Sequence, residues 1–105
     1  MSKLEQIEQL KDNWNGNGAK AFSKPLIEKV QGLIEGLSVE PQVFPTALGT
    51  IQLEFDNEQH DHMEIEIGES DIAKIFAVTN DGKELNDTIS ITSEEINKRV
   101  REFCA

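Results

Sequence analysis

The sequence predicts a single α+β domain spanning residues 1–105, with two N-terminal helices, a four-stranded antiparallel meander and a C-terminal helix. Three observations carry that prediction. Apolar residues recur at helical spacing from Leu26 to Leu37. Apolar and polar residues alternate with period two in 50–55 and 62–67, the pattern of strands with one buried and one wet face. Helix-like and strand-like segments come in runs instead of alternating, which favours an antiparallel sheet over parallel βαβ units.

In chain order, Ser2-Lys3-Leu4-Glu5 fits a capping box, and Leu4, Ile7 and Leu10 continue at helical spacing to about Lys11. Asp12–Ala19 holds three Asn and two Gly, residues that tolerate left-handed backbone, and reads as a loop. It contains the only tryptophan, Trp14. Two roles suit it: a plug folded into the corner between helices, or an exposed anchor for a partner. Ser23 caps the second helix and Pro25 sits in its first turn. Leu26, Ile27, Val30, Leu33, Ile34 and Leu37 form its apolar stripe, and Gly36 and Ser38 mark its end. Pro41–Pro45 is extended because each proline steers its predecessor away from helix; it suits an edge strand better than an inner one.

The segment 50–71 dominates the rest. Ile51, Leu53 and Phe55 oppose Thr50, Gln52 and Glu54; Met63, Ile65 and Ile67 oppose His62, Glu64 and Glu66. Pairing these strands with their apolar sets together gathers Glu54, Glu64, Glu66, His60 and His62 on the other face, with a polar connection at Asp56–Asp61. A third strand runs Ile72–Val78. Ala73, Ile75 and Ala77 take one side, and Ile72, Lys74, Phe76 and Val78 the other, with Lys74 across from Glu64 or Glu66. Thr79–Lys83 is a turn, and a fourth strand follows around Asp87–Ile91. Thr92 and Glu95 form a second capping box; Ile96, Val100 and Phe103 line the last helix, while Lys98, Arg99 and Arg101 suit its negative end.

Two segments resemble a family of small bacterial proteins, often carried on mobile elements, for which no activity is established. One is Trp14-Asn15-Gly16-Asn17-Gly18-Ala19 leading to Pro25; the other is Pro41-x-Val43-x-Pro45 followed by Gly49-x-Ile51-x-Leu53-Glu54-Phe55. The resemblance spans the first two thirds of the chain and departs at Phe55, where family members commonly carry Trp. It implies a fold pattern and no catalytic residues.

Charge is unevenly spread. The chain has 20 acids and 10 bases, a formal net charge of −10. Eight acids lie in 50–71, with no Lys or Arg there, so most of the excess sits in about a fifth of the chain. Solubility asks for net charge but not for its concentration. The acidity argues against direct nucleic-acid binding, since phosphates would be repelled. No apolar run reaches the roughly 18 residues of a membrane span. The opening MSKLEQIEQL is charged where a secretory signal is apolar, and Cys104, the only cysteine, excludes an internal disulfide. A cytoplasmic location is the resulting expectation. At 37% hydrophobic and 6% aromatic, the core should be aliphatic.

Chemistry is sparse. His60, His62 and Glu64 are spaced to share a strand face as ligands of zinc or another divalent ion. Against an enzyme, Cys104 has no base beside it, no glycine-rich nucleotide fingerprint is present, and a Glu54–Glu64 pair on a flat strand face lacks the cleft a glycosidase needs. No cofactor is expected. The expected function is a non-enzymatic, acidic protein-binding module, in the manner of an inhibitor or antitoxin covering a basic, nucleic-acid-handling surface. Its binding residues would be Glu54, Glu58, Asp61, Glu64, Glu66, Glu69 and Asp71, with Trp14 as anchor. The alternative is self-association, a homodimer through Phe76 and Val78.

Overall fold

A computed structural model describes residues 3–104. Helices α1 (Lys3–Glu8) and α2 (Lys24–Glu35) precede strands β1 (Gln42–Pro45), β2 (Ile51–Asp56), β3 (His62–Ile67), β4 (Ile72–Val78) and β5 (Glu84–Ser90); helix α3 (Ser93–Cys104) ends the chain. The strands form one antiparallel sheet in the order β1-β2-β3-β4-β5.

The α+β class and the meander hold, but the sheet has five strands and not four. The fifth is Gln42–Pro45, paired with β2 from Gln42↔Glu54 to Pro45↔Ile51. As an edge strand it needs hydrogen bonds on one side only, so prolines at 41 and 45 do not exclude it. Two boundaries also move. α1 ends at Glu8, short of Lys11, and the last strand begins at Glu84, before Asp87. The capping position Ser2 lies outside the described residues.

Local signals explain the helix starts. Ser23 Oγ accepts from the Leu26 N–H at 3.3 Å, and Thr92 Oγ1 from the Glu95 N–H at 3.1 Å. Each satisfies an amide that a helix start would otherwise leave unpaired. Cys104 belongs to α3 and is half-buried against the core.

One face of the sheet carries Val43, Ile51, Leu53, Phe55, Met63, Ile65, Ile67, Ala73 and Ile75, all buried. The helices close over it with Leu4 and Ile7, with Leu26, Ile27, Val30 and Leu33, and with Ile96 and Val100. All three helices contribute to this single core cluster. The opposite face of the sheet is left without a helix among the described residues.

Three hairpin turns share one geometry. In Thr46–Thr50, Asn57–Asp61 and Thr79–Lys83 the first N–H donates to the last carbonyl, and the fourth N–H donates back to the first carbonyl. The fourth residue lies in the left-handed region: Gly49 at φ 84°, His60 at 67°, Gly82 at 88°. This is a type I turn followed by a left-handed bulge residue. In each, the first side chain (Thr46, Asn57 or Thr79) accepts a backbone N–H from within its own turn. His60 occupies the place that glycine takes in the other two.

Candidate functional site

Register decides which polar groups meet on the uncovered face. Directly opposed strand residues point the same way. Glu54 therefore stands beside Glu64, Gln52 beside Glu66, and Asp56 beside His62. On the next strand Lys74 stands beside Glu66, Phe76 beside Glu64, and Val78 beside His62. The face thus has an acidic centre on β2 and β3, bordered along β4 by the half-buried Phe76 and Val78. A dent of about 170 Å³ lies between Gln52, Glu66, Lys74 and Phe76. A pocket of about 300 Å³ lies elsewhere, between α1, α2 and β1, and contains none of these groups.

His62 is the hub. Its Nδ1 lies 2.9 Å from Asp56 Oδ1, and its Nε2 lies 3.1 Å from Glu64 Oε1 and 3.7 Å from Glu54 Oε1. Each ring nitrogen thus faces a carboxylate. Burial disfavours the charged imidazolium, but the hydrogen bonds to Asp56 and Glu64, and their charges, outweigh it; the His62 pKa is raised above its ordinary 6.5. The Glu54 pKa is also raised above its ordinary 4.5. Burial is the first cause and the Glu64 charge the second, with Asp56 adding and His62 opposing. Glu66 accepts from Thr50 Oγ1 at 2.8 Å. Although Lys74 is opposite Glu66 in register, among the described residues no Lys or Arg makes an ion pair with any carboxylate of this face.

The remaining sites expected from the sequence are dispersed. Glu58 and Asp61 lie in the β2–β3 turn. Asp61 is engaged there, accepting from the Asn80 N–H at 2.9 Å and from the Asn57 amide at 3.1 Å, so it ties that turn to the β4–β5 turn. Glu69 and Asp71 lie in the β3–β4 turn, at the other end of the hairpin. That turn is held to α2 by Lys29 Nζ, which donates to the carbonyls of Gly68 at 2.9 Å and Ser70 at 2.7 Å, and by Ser23 Oγ, which donates to Glu69. Trp14 is half-buried in the loop before α2. Its ring centroid is 6.0 Å from that of Phe22, and its indole N–H donates to the Lys20 carbonyl.

Of the three expected metal ligands, the structure brings His62 and Glu64 together but not His60. The turn at Asn57–Asp61 holds His60 exposed, ahead of the strand. Glu54 stands in its place: one ligand atom from each of Glu54, His62 and Glu64 lies within 4.8 Å of the others. The sequence reading missed Asp56 as the partner of His62 Nδ1. The signal was present in the hairpin register, because Asp56 and His62 close the strand pair.

Burial raises the Cys104 pKa, which keeps its thiol protonated and weakly nucleophilic. Among the described residues no helix is long and apolar enough to cross a membrane. No protein-family model matches the chain, and neither a curated protein nor a solved structure is significantly similar to it.

Proposed function

We propose that this chain is a non-enzymatic binding module whose uncovered sheet face seats on a basic surface of a nucleic-acid-handling protein, in the manner of an inhibitor or antitoxin. The observation that supports this reading is the gathering of Glu54, Glu64 and Glu66 on one face, where among the described residues no Lys or Arg makes an ion pair with them. Like charges on directly opposed positions weaken strand pairing. A basic partner would relieve that repulsion, and the field of the array would speed its capture. Phe76 and Val78 beside the carboxylates add apolar surface for such a partner to bury. The same electrostatics disfavour the alternative. Two copies pairing through Phe76 and Val78 would set one carboxylate array against another.

The test compares two triple variants of the full chain used as bait in its native host. E54Q/E64Q/E66Q removes three charges from the face; E8Q/E28Q/E94Q removes three exposed charges from the helices. The captured protein is identified, purified and titrated. The expected result is a basic nucleic-acid-binding protein whose affinity falls at least tenfold for the first variant, is unchanged for the second and weakens with salt. Equal affinity of both variants would reject the assignment. Light scattering should show a monomer at tens of micromolar; a dimer dispersed by Phe76→Ser would favour self-association instead.

A further inference from the structure

The sharpest chemical feature of the face is a mixed constellation with an imidazole at its centre. A tetrahedral ion with N and O ligands at roughly 2.0–2.2 Å requires its ligand atoms to stand about 3.3–3.6 Å apart. His62 Nε2 is 3.1 Å from Glu64 Oε1 and 3.7 Å from Glu54 Oε1, which brackets that requirement, and the three ligand atoms all lie within 4.8 Å of one another. The three side chains come from neighbouring central strands of a five-stranded sheet, so their Cα positions are set by ladder hydrogen bonds.

Asp56 supplies a further element. Its carboxylate lies 2.9 Å from Nδ1, where it would hold the ring proton once an ion between Glu54 and Glu64 takes the Nε2 lone pair. A carboxylate behind the far nitrogen of a ligating histidine is the arrangement that orients the ring and raises its basicity in zinc proteins. All three candidate ligands are partly exposed, at 21 to 31% of side-chain surface, which leaves a fourth position for water or a group from another molecule.

We propose that Glu54, His62 and Glu64 form a mononuclear site for a divalent transition metal of the zinc class, with Asp56 as the positioning residue behind His62. Three protein ligands including one imidazole are too few and of the wrong type for calcium, which takes six to eight oxygens. Two carboxylates and a neutral imidazole would place two negative charges around the dication and remove the Glu54–Glu64 repulsion. Metal binding here does not depend on whether the face also binds a protein.

Isothermal titration of the chelator-treated full chain with a zinc salt at neutral pH tests it. One equivalent should bind with micromolar affinity or better, with no saturable binding of magnesium or calcium. His62→Ala should lose at least tenfold, Asp56→Asn about 10- to 100-fold, and His60→Ala nothing. NMR of the unsubstituted chain provides a readout independent of any variant's folding. With only two histidines in the sequence, zinc should shift the His62 ring resonances and leave those of His60 in place. Absence of saturable zinc binding, zinc binding indifferent to His62→Ala, or zinc shifts confined to His60 would each overturn the site.

Discussion

Replacing Glu54 by Gln should make the metal-free protein more stable at pH 8 and have almost no effect at pH 5.5. Glu54 and Glu64 are directly opposed, with carboxylate oxygens within 4.8 Å. Both side chains are partly solvated, so a water-like dielectric applies, and two unit charges at that distance repel by about 0.9 kcal/mol. That agrees with the range of roughly 0.2–1 kcal/mol for cross-strand pairs. As pH rises through the raised His62 pKa, the ring loses its charge and with it its attraction for Glu54. Removing the Glu54 charge should therefore gain about 0.5–0.9 kcal/mol, a rise in Tm of roughly 2–6 °C for a domain of this size. At pH 5.5 His62 is charged and lies 3.7 Å from Glu54. The substitution then also removes an ion pair worth roughly 0.2–1 kcal/mol, and the two effects cancel. Urea denaturation of chelator-treated protein at both pH values measures this. A loss of stability at pH 8, or an equal gain at both pH values, would refute the electrostatic account of the face.

The unsubstituted chain should follow the same sign. Raised pKa values mean that the folded state holds these protons more tightly. The Glu54 contribution is complete below its ordinary 4.5 and the His62 contribution below 6.5; each is lost as pH rises through the folded value. Metal-free protein should accordingly be more stable at pH 6 than at pH 8, and a flat profile between them would contradict the His62 geometry. His60→Gly should stabilise by about 0.5–1 kcal/mol in urea, because a left-handed residue with a Cβ is strained. Gly49→Ala, at the matching place of another turn, should cost about 1 kcal/mol or more. Ile65→Ala, at the fully buried centre of the sheet, should cost about 2–5 kcal/mol, a large share of a total near 5–15; denaturation with a smaller loss would place the core elsewhere. The Arg99 guanidinium beside Asp87 holds its carboxyl below the usual 3.8, ahead of a backbone hydrogen bond from Thr88. Arg99→Ala should move the Asp87 titration upward in carbon-detected NMR, and an unmoved titration would show the contact to be absent in solution.

Much of the acidic face could be read from side-chain alternation. Period-two patterning in 50–55 and 62–67 placed Glu54, Glu64 and Glu66 together because the apolar residues between them must turn toward one core. The edge strand was harder to see. Gln42–Pro45 is short and bounded by prolines, and its strand character comes from pairing with β2. The exclusion of His60 rested on a turn. Its spacing of two from His62 looks like shared facing, but the five-residue turn breaks the alternation one residue before the strand starts. The parallel between Thr46-x-x-Gly49-Thr50, Asn57-x-x-His60-Asp61 and Thr79-x-x-Gly82-Lys83 is visible in the sequence and marks His60 as the left-handed residue.

Local periodicity and composition are enough to show which side chains turn inward along the 50–67 hairpin and helices α2 and α3, and that negative charge concentrates on that hairpin. Tertiary structure alone decided which carboxylate meets which ring nitrogen. Glu64 shares a strand with His62, but Asp56 and Glu54 come from the neighbouring strand, and a shift of one residue in register would carry both to the other face and leave His62 with Glu64 alone.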